Sequence, residues 1–212
     1  LRKVYLEQSR KACPEQSRRA HIERKTKETR VRVEVNLDRS GPVKISTGIG
    51  FLDHMLTLLA THGTFALRLS ARGDVEVDRH HTVEDVGLAL GSALKKSLGD
   101  KRGIARFGWA AVPMDEALAL AAVDFSGRGF LHLELGLRAK KIGDFEVELM
   151  EEFLRAFASA AGLTLHLRTL AGRNSHHLAE AAFKALGRAL EQAVRLDPRR
   201  GGQIPSSKGV LE

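Results

Sequence analysis

The sequence is poorest in sulfur and in aromatic rings. Its one cysteine, Cys13, excludes an internal disulfide and leaves a thiolate metal site without ligands. Aromatic residues are 5% of the 212, too few for a surface on which nucleic-acid bases stack. No run of about 18 apolar residues occurs, so no membrane span is expected. The first residues lack the apolar core of a secretory signal, which makes the cytoplasm the expected location. Also missing are a Gly-x-Ser-x-Gly elbow, a glycine-rich phosphate loop and the His-Glu-x-x-His pair of zinc proteases. Three common routes to catalysis are thereby set aside.

Charge is present, but unevenly. Of the formal net +8, residues 1–20 supply +4: six basic side chains (Arg2, Lys3, Arg10, Lys11, Arg18, Arg19) against Glu7 and Glu15. That segment is polar, nearly repeats itself, and reads as a disordered or loosely helical basic extension. The remainder suits an anionic substrate better than a cationic one. Two other classes stay open on these grounds: a basic RNA-binding module, and a di-metal hydrolase of phosphorylated small molecules.

Beyond the extension, the chain alternates strand and helix patterns. Residues 29–37 alternate polar and apolar, as a half-buried strand does. Strands are also expected at 43–46, 65–71 and 74–77, and helices at about 50–62 and 82–98. The order then recurs. Glu116 to Asp124 matches Glu28 to Asn36, the helix expected from about 146 answers the one at 50, and a strand at 163–169 precedes a second His-His pair. The offset is 88 residues at the start and 96 at the histidines, so a loop insertion is expected near 129–143. The fold class is therefore α+β, an internally duplicated half-domain: 21–108, then 109–198, with a C-terminal tail at 199–212.

The chemistry concentrates on two triplets, His80, His81, Glu84 and His176, His177, Glu180. Positions i, i+1 and i+4 of a helix span about 100° of arc, which predicts convergence on one side. Imidazole with carboxylate suits divalent transition ions. His54 and its second-half counterpart Glu152 complete eight ligand-type side chains, enough for two ions. His62 follows on the His54 helix; it reaches the same pocket or simply meets the helix dipole ahead of Gly63. Arg106, Arg128, Lys184 and the tail's Ser206, Ser207 and Lys208 are candidates for binding an anion.

Gly48 to Met55, His80 to Asp85, Arg173 to His177, Phe183 to Ala185 and Pro205 to Leu211 together resemble the imidazoleglycerol-phosphate dehydratase family in order and spacing. The resemblance covers about residues 22–212. It implies two halves, each a four-stranded sheet backed by two helices, like ribosomal S5 domain 2. It further implies a homo-oligomer of 24 subunits, with active sites between subunits and two Mn(II) ions per site. The metal ligands would be His54, His80, His81, Glu84, Glu152, His176, His177 and Glu180. Many members carry histidine at the Glu152 position. Glu28 would be the acid/base at the substrate, so that Glu28, Glu84 and Glu180 are the candidate catalytic carboxylates. His62, Arg106, Arg128, Lys184, Ser206, Ser207 and Lys208 would line the substrate and its phosphate. The implied reaction dehydrates imidazoleglycerol phosphate to imidazole-acetol phosphate in histidine biosynthesis, through a metal-stabilised imidazolate and a diazafulvene-like intermediate. Neither nucleic acid nor membrane is an expected partner.

Overall fold

The computed structural model describes residues 17–211. The expected extension therefore lies outside the described residues as far as position 16. Its last two residues belong to the fold, because the first strand begins at Arg19.

The first half runs β1 (Arg19–Lys25), β2 (Thr29–Asn36), β3 (Val43–Ser46), α1 (Gly50–His62), β4 (Ala66–Gly73) and α2 (His80–Leu98). Its sheet has the order β1-β2-β4-β3, antiparallel except for the parallel pair β3–β4. The second half repeats this: β5 (Phe107–Met114), β6 (Ala117–Asp124), β7 (Phe130–Glu134), a hairpin of β8 (Lys141–Ile142) and β9 (Phe145–Glu146), α3 (Glu148–Ala161), β10 (Thr164–Ala171) and α4 (Ser175–Val194). Its sheet has the order β5-β6-β10-β7, again with one parallel pair, β7–β10. Registers correspond: Asn36 faces Ala66, and Asp124 faces Thr164. The fold is α+β and duplicated.

Three expectations need correction. The strand expected at 74–77 is a turn, in which the Val77 N–H donates to the Asp74 carbonyl at 2.8 Å. The fourth strand of the first sheet is instead β1. Likewise the boundary expected at 108 falls inside β5, so the halves divide in the connection at 99–106. The inserted segment also sits slightly later than expected. Three residues (47–49) join β3 to α1, whereas thirteen (135–147) join β7 to α3, and these ten extra residues carry the β8–β9 hairpin.

The sheets lie outside and the helices between them. α2 rests on β1 and β2, and α4 on β5 and β6, each burying the apolar stripe that its 3.6-residue period aligns. Across the middle, helices of opposite halves meet: α1 packs on α4, and α3 on α2. Both crossings use a glycine. A Cβ at Gly187 would lie 2.6 Å from the Leu59 carbonyl oxygen, and one at Gly91 2.5 Å from that of Phe157. Leu59 and Phe157 are equivalent positions of α1 and α3, so the two crossings are copies of one another. Overfilling such a contact costs about 1–3 kcal/mol. Among the described residues, no helix is long and apolar enough to cross a membrane.

Candidate metal centre

The two His-His pairs begin their helices because a side chain two residues earlier caps the first turn. Asp78 Oδ1 accepts from the His80 N–H at 3.0 Å, and Asn174 Oδ1 from the His176 N–H at 2.9 Å. The four rings therefore project from the exposed ends of α2 and α4.

The α1–α4 crossing then brings His54 to the second pair. His54 Nε2 donates to Glu180 Oε1 at 2.8 Å, and His176 Nε2 donates to the same oxygen at 3.1 Å. Glu180 Oε2 accepts from the Lys184 ammonium at 2.7 Å. Burial pushes the Glu180 carboxyl up, but hydrogen bonds from Lys184, His54 and His176 outweigh it and hold the group at about 2. Among the described residues, His54, His176 and Glu180 are the one group of three whose donor atoms lie within 4.8 Å of one another. Two imidazole nitrogens and a carboxylate oxygen aimed at one point fit a divalent transition ion. The atoms that share protons here are those that an ion would take.

Phe51, one turn before His54, packs edge-on against His176 at 5.5 Å between ring centroids and against Phe145 of the β8–β9 hairpin at 5.3 Å. His62 is half-buried at the far end of α1. Burial lowers its pKa first, and the nearby Lys184 and Arg188 charges lower it further. Lys184 thus binds Glu180 directly and acts on His62 through its charge.

The expectation that each triplet converges on one side is corrected by the geometry. Successive residues of a helix differ by about 100°, and in the second triplet His176 and Glu180 stay together while His177 turns away. The rings of His176 and His177 stand nearly perpendicular, as do those of His80 and His81. His177 Nδ1 donates to Glu116 Oε2 at 2.7 Å, and its Nε2 lies 3.8 Å from the Asp115 carboxylate. His81 Nδ1 donates to Asp74 Oδ2 at 3.1 Å, and Glu28 stands 3.9 Å away. The His177 bond, with two backbone N–H donors behind it, holds Glu116 at about 2, and the same bond raises His177. His81 is raised by Asp74 in the same way. Glu116 and Asp74 were not among the expected site residues, although the match of Glu116 to Glu28 marked the former.

The remaining candidates are placed separately. His80 and the exposed Glu84 stand on α2, and half-buried Glu152 on α3, at positions equivalent to His176, Glu180 and His54. The donor atoms of this second trio do not gather in one chain. Arg106, in a left-handed conformation at φ 75°, forks onto Asp124 at 2.6 and 3.0 Å and donates to the Pro205 carbonyl at 2.8 Å. It holds the tail rather than standing open. Ser206, Ser207 and Lys208 follow in a turn where the Lys208 N–H donates to Ser206 Oγ at 3.1 Å. Arg128 is exposed, its backbone N–H held by Ser126 Oγ at 3.2 Å.

A family model described as imidazoleglycerol-phosphate dehydratase matches residues 47–190. The dehydratase of that name from Moorella thermoacetica is 60% identical over 195 residues, which cover 92% of this chain and 99% of that one. The one from Azorhizobium caulinodans is 55% identical over 194 residues, covering 92% and 98%. Two solved structures share the fold. The Staphylococcus aureus imidazoleglycerol-phosphate dehydratase superposes with a TM-score of 0.77 at 39% identity, covering 84% of this chain and 99% of that one. The Pyrococcus furiosus IGPD superposes with a TM-score of 0.78 at 38% identity, covering 90% and 100%.

Proposed function

The chain belongs to the imidazoleglycerol-phosphate dehydratase family, and from that membership we propose how its own residues carry the reaction. It is a hydro-lyase of histidine biosynthesis. The meeting of His54, His176 and Glu180 across the two halves carries the reading of its site.

Two Mn(II) ions per site, which His54, His80, His81, Glu84, Glu152, His176, His177 and Glu180 would hold, would supply Lewis acidity that favours the anionic form of the substrate's ring. The chain's residues do the rest. The hydroxyl next to the electron-rich ring departs with a proton as water, leaving a neutral diazafulvene-like side chain. Glu28 takes the proton from the adjacent carbon, and the enol so formed becomes the ketone of imidazole-acetol phosphate. A pinned backbone and an exposed side chain suit Glu28 to that proton transfer. Its N–H donates to Thr26 Oγ1 at 3.2 Å, while its carboxylate lies 3.9 Å from His81 Nδ1. Lys184, His62, Arg128, Ser206, Ser207 and Lys208 hold the phosphate end, with Arg106 as the buttress of the tail.

Only three of the eight ligands gather within one chain. The other five, His80, His81, Glu84, Glu152 and His177, are left for ions shared with neighbouring copies. We accordingly assign the active form to a homo-oligomer, of 24 subunits as the family resemblance implies, with sites between subunits. The test is a dehydration assay on imidazoleglycerol phosphate before and after chelation, with particle mass followed in parallel. Chelation should stop turnover and shrink the particle, and added Mn(II) should restore both. A chelated enzyme that dehydrates at the original rate removes the metal reading. Solvent oxygen entering the product by hydrolysis would favour the di-metal hydrolase instead.

A further inference from the structure

The first residue of the duplicated strand pattern is glutamate in both halves: Glu28 precedes β2, and Glu116 precedes β6. Each lies beside the second histidine of its own half, yet the two carboxylates are used differently. Glu116 has both oxygens engaged. Oε2 accepts from His177 Nδ1 at 2.7 Å, while Oε1 accepts from the backbone N–H groups of Asn174 at 2.9 Å and Arg173 at 3.2 Å. Among the described residues, none engages either oxygen of Glu28 in this way. The Nδ1–H of His81, the ring beside it, goes to Asp74, and Glu28 stays 3.9 Å away and half exposed.

The reason lies one residue past the next strand. β10 carries one extra residue between Thr169 and Ala171, so Gly73 corresponds to Gly172 and Asp74 to Arg173. The two glycines share one environment: a Cβ at Gly73 would meet Thr82 and Thr29, and one at Gly172 would meet their counterparts Leu178 and Ala117. Where Asp74 stands in the first half the second has Arg173, whose backbone N–H donates to Glu116, and so no carboxylate there to replace Glu116. In the first half, six residues (74–79) join β4 to α2, against three (172–174) between β10 and α4, and Asp74 opens the longer connection.

We propose that Asp74 and Glu116 are positioning residues that orient the metal-ligating histidines His81 and His177, and that the substitution of Asp74 for Glu28 in this role frees Glu28 for proton transfer. A carboxylate on the Nδ1–H of an imidazole fixes its tautomer and turns the Nε2 lone pair outward, as is usual behind a metal-bound histidine. The inference rests on the metal reading above and adds a division of labour to it. The duplicated glutamate is structural in one half and chemical in the other.

The experiment compares Glu116→Ala, Glu116→Gln, Asp74→Ala, Asp74→Asn and Glu28→Gln as full chains, with Mn(II) titrated against a competing chelator alongside kcat and KM. Loss of Glu116 or Asp74 in the alanine variants should weaken Mn(II) binding about 10–100-fold. The amide variants, which can still accept the hydrogen bond, should recover part of it, and saturating Mn(II) should raise kcat in all four. Glu28→Gln should bind Mn(II) as the unmodified chain does and lose kcat at every Mn(II) concentration. Alanine variants with unchanged Mn(II) affinity would overturn the proposal, as would a kcat loss in Glu116→Gln that Mn(II) leaves untouched. If the unmodified chain itself took up no Mn(II), the metal reading and this inference would fall together.

Discussion

The inward faces of the two sheets are near copies, whereas their outward faces have almost nothing in common. Inside, Val31, Val33 and Val35 of β2 and Ala117, Ala119, Ala121 and Val123 of β6 alternate into the core with the same register. Outside, the first sheet presents Glu23, Arg30, Arg32, Glu34, Lys44 and Arg68, with ion pairs such as Arg30 to Glu23 at 2.6 Å. The second presents Phe107, Trp109 and Ala111 on one edge strand, with Trp109 65% exposed, and on the other edge Phe130 beside the ion pair of Arg168 with Glu134 at 3.1 Å. Packing against a shared helical layer constrains one face after duplication and leaves the other to diverge. A charged face suits water, and an edge strand with the exposed rings of Phe107 and Trp109 suits burial against another molecule.

The comparison is tested most severely at the ligands. His54→Ala and Glu152→Ala alter the same position in the two halves. If the halves supply equivalent sites, each change should remove one of two ions per subunit, read by metal analysis, and reduce dehydration to background. Retention of both ions by Glu152→Ala would confine the equivalence to the fold. Next in size is the outer face. Trp109→Lys should lower particle mass in sedimentation, whereas Arg32→Ala on the other sheet should leave it unchanged.

The helix crossings offer a smaller and more even effect. Gly187→Ala and Gly91→Ala should each destabilise by about 1–3 kcal/mol, seen as similar falls in the thermal midpoint. A fall in one alone would show that the crossings are not interchangeable. The smallest effect is expected at Asp38, which has no acidic counterpart in the second half, where Ser126 stands. Burial pushes its carboxyl up, but the Arg18 backbone N–H and guanidinium prevail and hold it below its ordinary value. The stability it adds is therefore present above the ordinary carboxylate pKa and lost as pH falls through the lowered one. At a partly exposed pair this amounts to less than about 1 kcal/mol. Asp38→Asn should slightly flatten the acid limb of a stability–pH curve.

The duplication was legible in the sequence because the inward face and the ligand pairs keep their spacing. Among the strands that escaped, β1 and β5 are the same edge element of each half. In β1 the third inward position is Arg24, an ion-pair partner of the buried Asp85 at 2.6 Å, so the apolar alternation breaks there. In β5 the outward residues are themselves apolar, and Gly108 and Pro113 interrupt the run. The reverse error at 74–77 arose from Val75 and Val77, which alternate as a strand would but stand exposed in a turn. At the site, spacing pointed to the candidate ligands, three of which meet in the fold. It did not reveal that His81 and His177 turn toward their own carboxylates, because that depends on the connections before each helix.

The ten-residue insertion has a consequence for the evolution of the molecule. Arg79, next to His80, pairs with Asp144 at 2.8 Å and with Glu146 at 3.4 Å, while Phe145 between them rests on the Phe51 that flanks His54 and His176. Two grips made by copying could each drift alone, but one finger now touches both. Changes in this hairpin should be felt in pairs, and its sequence is answerable to two pockets at once.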